Sequence, residues 1–290
     1  MALELILQVV APVFLIISLG FIIGRYKKIN IRVLLDFTIY IAAPCLIFYS
    51  IAESSFVFNE FFVIFFAVAS VLLFGALLAY LWFKLAGLDH RGLYLPLMFP
   101  NTGNMGFPII LFAFGMEGLA KGVIYSTFTS LFLFSLGVYI VARKANLKEV
   151  FRLPLIYAVV LGILFSVLNL KLPLAVMNPV KMLGDTAIPL QLIILGFSLS
   201  SVKIKSIKLS VLGAIFKFIS AFLIALAFVS IFGISGLTRK VILLQSIMPS
   251  ALFCIILSEK YNRDSSLVAS TVFISTLLSI ITIPLVLFFL

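Results

Sequence analysis

Residues 98–108 read Met98-Phe99-Pro100-Asn101-Thr102-Gly103-Asn104-Met105-Gly106-Phe107-Pro108. They lie at the centre of an apolar segment, Gly92–Gly115, long enough to cross a bilayer. Proline removes a backbone donor and clashes with the preceding turn, and two glycines loosen the chain further. Backbone groups freed at mid-membrane depth are tolerated only where protein or a watery cavity satisfies them. A proline kink is the simpler reading, but two asparagines and two glycines beside Pro100 exceed what a kink requires. The segment is expected to be a helix broken near the membrane midplane.

The break has a counterpart. Shifting the chain by 149 residues places Pro100 on Pro249, Phe99 on Met248 and Arg91 on Lys240. The same shift lays Ser126-Thr127 over Ser275-Thr276 in the following segment, and a shift of 145 lays Ala43-Pro44 over Ile188-Pro189. The identities are few, but they fall in corresponding segments at a nearly constant offset. Two interrupted helices at matching positions of two halves point to a binding site in a secondary transporter.

Working outward, ten apolar segments can be marked: Leu3–Gly24, Ile31–Ala52, Phe58–Gly87, Gly92–Gly115, Gly118–Ala142, Leu153–Leu170, Met182–Ser200, Ile207–Ile231, Lys240–Ser258 and Ser265–Leu290. The seventh is the least defined, because Leu172–Gly184 reads either as a loop or as a short interfacial helix. At about 20 residues per span, ten spans take up most of the 290 residues and leave no room for a soluble domain. The composition agrees. Hydrophobic residues make up 64% and charged residues 11%, against roughly 45–50% and 25% in soluble domains. Mean hydropathy is +1.31. The expectation is an all-α polytopic protein of ten transmembrane helices, built as a 5+5 inverted repeat over 1–142 and 153–290, with spans 4 and 9 broken and crossing.

Charge sets the orientation. The alternate loops Arg25–Arg32, Lys84–Arg91, Arg143–Arg152, Lys203–Lys208 and Glu259–Asp264 hold 15 of the 21 Lys and Arg. The other side holds Lys121, Lys171, Lys181, Arg239 and Lys240. By the positive-inside rule the first set is cytoplasmic and both termini are extracytoplasmic, in a plasma (cell inner) membrane. The net charge of +11 is thus mostly a topology signal, and no basic run interleaved with aromatics suggests nucleic acid. Met1–Gly24 reads as the first span rather than a signal peptide, having Glu4 in place of a basic start. Cys45 and Cys254 lie in apolar stretches, one in each half, without disulfide or metal-ligand spacing.

A half-helix starting after each break directs partial positive charge at the midplane, which suits an anion. Pro100, Asn101, Thr102, Gly103, Asn104, Pro249 and Ser250 are therefore the expected substrate-binding residues, offering neutral donors without a fixed charge. Lys217 is the one basic residue deep in a span, nine residues past Lys208 or about 13 Å along a helix. It reads equally as a fixed cation near the crossing and as a snorkelling lysine. Asp36 stands between proton relay and interfacial residue, while Gln191 and Gln245 either line a path or bond between helices. Asp185 is expected to cap span 7. His90 is expected in a solvated loop. Ser126, Thr127, Ser275 and Thr276 read as packing residues. HExxH, GxSxG and Walker motifs are absent from the sequence, so an enzyme is not expected.

The stretch 98–108 resembles the fourth-span motif of the auxin efflux carrier family in its short prokaryotic form. Met248-Pro249-Ser250-Ala251, Ser258-Glu259-Lys260-Tyr261, Ser275-Thr276-Leu277-Leu278-Ser279 and Thr282-Ile283-Pro284-Leu285 resemble its last two spans. Weaker similarity at Ala43-Pro44 and Ile188-Pro189-Leu190 extends the likeness over nearly the whole chain. The resemblance implies a fold shared with bile-acid and sodium/proton carriers. Spans 1, 2, 6 and 7 would form a scaffold, spans 3–5 and 8–10 a mobile transport domain, and the breaks would cross at Pro100 and Pro249. It implies elevator-type transport of small carboxylates, since plant members export auxin and prokaryotic members include malate and malonate permeases. The family's key asparagine matches Asn101, and Ser250 stands where it often has a polar residue. The long central loop of the plant carriers is replaced by Arg143–Arg152, and an indole-shaped substrate is not carried over. No cofactor is expected beyond a coupling H⁺ or Na⁺. The partners are a small carboxylate and the lipid bilayer, with no nucleic acid, and a homodimer through the scaffold spans fits this arrangement. Two alternatives stand beside this reading. One is a sodium-coupled symporter of a larger, bile-acid-like anion. The other is a non-transporting sensor on the same fold.

Overall fold

The computed structural model describes residues 2–27, 29–54, 58–142 and 154–290, so the Arg143–Arg152 loop lies outside the described residues. The chain folds as α1 (Ala2–Tyr26), α2 (Arg32–Ala52), α3 (Phe58–Ala86), α4 (Tyr94–Met98), α5 (Gly106–Ala142), α6 (Pro154–Val167), α7 (Leu174–Ser200), α8 (Ile207–Ile231), α9 (Gly236–Ser246), α10 (Phe253–Lys260) and α11 (Ser265–Phe289). Among the described residues, seven of these (α1, α2, α3, α5, α7, α8 and α11) are long and apolar enough to cross a membrane. Among the described residues the fold is therefore all-helical, and the protein is polytopic.

The remaining apolar segments fall short of that length for identifiable reasons. α4 and α9 stop at breaks, beyond which the chain resumes as α5 and α10. α6 starts at Pro154, directly after residues outside the described set. α5 joins the second half of Gly92–Gly115 to Gly118–Ala142, as two helical stretches that meet in a kink at Gly115, with φ 68° and ψ −164°. That conformation suits glycine, which has no Cβ to clash.

Two of the long helices carry π-helical turns. Thr38–Ala42 of α2 winds as a π-helix just ahead of Pro44, whose ring and missing N–H disrupt the bond to the carbonyl one turn earlier. Leu133–Gly137 of α5 does the same. There the Ser135 hydroxyl donates to the Leu131 carbonyl at 2.6 Å, a back-bond that bends helices.

α7 differs from the sequence expectation. Of the two readings open for Leu172–Gly184 the helical one holds: Leu174–Asp185 is a helix that joins Ala187–Ser200 at Thr186, so α7 begins at Leu174 rather than Met182. Asp185 does not cap a helix start. Thr186, at the joint between Leu174–Asp185 and Ala187–Ser200, keeps a near-helical φ −73° and ψ −18°, so no free N-terminus opens there. Asp185 instead accepts the Tyr49 hydroxyl at 2.6 Å and ties α2 to α7. His90 is also more than a solvated loop residue. Its Nδ1 lies 3.0 Å from Asp264 Oδ1, and the Gly92 N–H donates to Asp264 Oδ2 at 2.9 Å. These contacts pin the turn before α4 to the start of α11.

Helices α1, α2, α6 and α7 pack mainly on one another, as do α3, α4, α5 and α8–α11. The two groups meet where α1 touches α5 and α11 and where α2 touches α5. In the first group, α1 lies against residues 187–200 of α7 so closely that a Cβ on Gly196 would collide with the Ile17 carbonyl. Small residues of this kind let membrane helices approach and gain dispersion where lipid supplies no hydrophobic drive. In the second group, Glu60 of α3 accepts from Lys121 of α5 and, at 2.7 Å, from Thr238 of α9.

Candidate functional site

The two breaks meet. Between α4 and α5, and again between α9 and α10, the chain leaves the helix, extended at Phe99, and the two segments pair antiparallel with Pro100 opposite Ser250. The Asn101 N–H donates to the Pro249 carbonyl at 2.6 Å, and the Ala251 N–H donates to the Phe99 carbonyl at 2.9 Å. In such a pair the amides of residues 100 and 250 point away from the partner strand. A proline at 100 therefore forfeits no bond across the pair. The Ser250 amide, turned the same way, donates to the Ser275 hydroxyl at 3.0 Å.

Further bonds hold the break. The Ser250 hydroxyl donates to the Pro96 carbonyl at 2.6 Å, and the Thr102 hydroxyl donates to Ser126 Oγ at 2.9 Å. Gln245 reaches across from α9, its Nε2 donating to the carbonyls of Thr102 (3.3 Å) and Gly122 (3.2 Å). The Asn101 carbonyl accepts from Gly106 at 3.1 Å and the Gly103 carbonyl from Phe107 at 3.2 Å, which closes the first turn of α5. The backbone freed by Pro100 is thus largely satisfied by protein, as backbone within an apolar segment requires.

Beside the crossing lies a cavity of about 140 Å³. The first break lines it with Pro100, Asn101, Thr102, Gly103 and Asn104, and α7 contributes Gln191. Thr38, from the π-helical turn of α2, and the hydroxyls of Ser126, Thr129 and Ser130 on α5 also line it. The second break contributes Ala251, Leu252 and Phe253. The starts of α5 and α10 therefore both face the cavity, and each carries the partial positive charge of a helix N-terminus. Among the described residues, no ionisable side chain lines it. Two amides on its wall are incompletely paired: Asn101 Nδ2 and Gln191 Oε1 have no hydrogen-bond partner among the described residues. Both side chains are deeply buried, at 5% and 7% exposure.

The expected site residues thus divide. Pro100, Asn101, Thr102, Gly103, Asn104 and Gln191 come together on the cavity wall. Pro249 and Ser250 belong to the crossing itself, with Ser250 fully buried and its hydroxyl and amide both engaged. Gln245 is buried behind the first break, its Oε1 without a partner among the described residues. Lys217 lies in the interior of α8, off the cavity wall. Its Nζ has no hydrogen-bond partner among the described residues and sits 4.9 Å from the Phe218 ring centre. Asp36 is exposed on the first turns of α2. Thr38, Thr129 and Ser130 were not legible as lining residues from sequence. The available signal for Thr38 was Pro44, which implies an irregular turn just upstream.

The profile of the membrane transport protein family matches residues 5–149 and 138–287. An uncharacterized transporter of Methanocaldococcus jannaschii is 32% identical over 96% of this chain and 97% of its own length. An uncharacterized transporter of Methanothermobacter thermautotrophicus is 28% identical over 96% of each chain.

Proposed function

The chain belongs to the membrane transport protein family, that of the auxin efflux carriers its span-4 motif resembles, and from that premise we propose a secondary carrier of small organic anions. The family and both archaeal relatives support a transporter rather than an enzyme. The substrate class rests on one observation. Two helix N-termini and the buried amide of Asn101 converge on a cavity that carries no fixed charge. Such a site attracts a carboxylate yet holds no permanent ion that must be desolvated each time it closes.

In this reading the two halves, 1–142 and 153–290, are inverted repeats of five spans, with spans 4 and 9 crossing at Pro100 and Pro249. The group α1, α2, α6 and α7 is the scaffold, and the other group carries the site past it in elevator fashion. Asn101 bonds the carboxylate, Asn104 and the nearby hydroxyls assist, and Ser250 and Gln245 hold the crossing rigid. Lys217 and Asp36 are the residues to test for coupling to H⁺ or Na⁺. The protein sits in the cell inner membrane with both termini outside.

The cavity volume supports small substrates over sterol-sized ones, since an apolar cavity of about 150 Å³ holds a benzene-sized ligand. The test is thermal stabilisation of the purified protein by a series of carboxylates. For one site, stabilisation grows with the logarithm of ligand concentration over Kd. Small carboxylates should raise the melting temperature of the wild type but not of Asn101→Ala. Equal shifts in both proteins would remove Asn101 from the site.

A further inference from the structure

Granting that the cavity binds an organic anion, as proposed above, its chemistry narrows which anion. Each helix N-terminus is equivalent to roughly half a positive charge, so the starts of α5 and α10 together offset about one negative charge. The first amides of α5 are already taken by the Asn101 and Gly103 carbonyls. The donors left for a ligand are side chains, above all Asn101, whose Nδ2 has no partner among the described residues. A second carboxylate would meet apolar walls, hydroxyls and amides but no cation. Lys217 is not among the lining residues. A dianion would therefore leave a full charge poorly compensated inside the membrane, which is costly.

Gln191 asks for something else. Gln191 is 7% exposed, lines the cavity from α7, and leaves its Oε1 without a partner among the described residues. A ligand that only accepts hydrogen bonds satisfies Asn101 and leaves that oxygen unpaired. A hydroxyl pairs with it, and would equally accept from the amide nitrogen if the carboxamide turned over. Asn101 and Gln191 belong to different helix groups, so one ligand touching both bridges the two groups.

We propose that the site selects small hydroxylated monocarboxylates, with the carboxylate on Asn101 and the hydroxyl on Gln191, over dicarboxylates of the same size. Four four-carbon acids separate the two features: butyrate, 3-hydroxybutyrate, succinate and malate. Each would compete against uptake of radiolabelled 3-hydroxybutyrate into proteoliposomes at neutral pH, in the wild type and in Gln191→Leu. In the wild type, 3-hydroxybutyrate should compete best, and both dianions should be weaker than their monoanionic counterparts by at least about tenfold. In Gln191→Leu, the advantage of 3-hydroxybutyrate over butyrate should vanish. Dianions that compete as well as monoanions would overturn the charge matching, which the wild type alone decides. A hydroxyl preference absent from the wild type, or surviving in Gln191→Leu, would overturn the role of Gln191. If no acid of the four is taken up or competes, the carboxylate-carrier reading fails and this inference with it.

Discussion

At the scale of single residues, the site divides by which polar atoms are already engaged. Ser250 has committed both its hydroxyl and its amide to the crossing, whereas Asn101, a lining residue, has a buried Nδ2 without a partner among the described residues. Removing Ser275 Oγ leaves the buried Ser250 amide unpaired, a loss of about 1–3 kcal/mol. Ser275→Ala should therefore melt lower while keeping its carboxylate selectivity, as read by thermal unfolding and by competition. Glycines give a second contrast. Gly196→Ala drives a methyl into the Ile17 carbonyl, and overpacking of this kind costs about 1–3 kcal/mol. A Cβ at Gly75 meets no atom within 4 Å. Gly75→Ala should be neutral or stabilising by up to about 1 kcal/mol, the helix-propensity gain of alanine over glycine. Unfolding of both variants in detergent tests the pair, and equal melting temperatures would refute the close α1–α7 contact.

At the scale of elements, the sequence announced the breaks but not what surrounds them. Proline and glycine act locally, so Pro100 with Gly103 and Gly106 marked the first break without reference to the rest of the chain. The partner segment was legible because Pro249 recurs at the same offset as neighbouring residues. The antiparallel pairing of 100 with 250 and the anchors Ser126 and Ser275 were not, because hydroxyls on an apolar helix look alike whether they pack or bond. The start of α7 was misplaced for a similar reason. Leu172–Gly184 contains Pro173, Pro179, Lys181 and Gly184, residues that locally oppose a helix, yet packing against α2 carries one through from Leu174. Asp185 was expected as a cap, but the helix from Ala187 follows a near-helical Thr186 and Asp185 bonds Tyr49 instead. The π-helical turn of α2 yields a prediction of its own. Pro44→Ala restores a donor one turn after Tyr40 and lets Thr38–Ala42 wind as an α-helix. Because Thr38 lines the cavity, the variant should fold at least as stably and show altered carboxylate affinity. Unchanged affinity would make the π-turn incidental.

At the scale of the whole molecule, composition placed the chain in a bilayer and charge gave an expected orientation for its loops, while the cavity emerged only when the structure brought the two breaks together. The orientation can be read directly. Single cysteines at Lys205 and Lys171, in a background lacking Cys45 and Cys254, should react with impermeant reagent from opposite sides of the membrane, Lys205 from the cytoplasm. Reaction from the same side would contradict the ten-span arrangement. The central claim is that the crossing of the two broken helices holds the transported anion. Its most direct test is uptake of a radiolabelled small carboxylate by proteoliposomes bearing the wild type or Asn101→Ala, at matched, folded protein. Uptake should be saturable in the wild type and close to protein-free liposomes in the variant. Asn101→Ala carrying the carboxylate at the wild-type rate and affinity would contradict it.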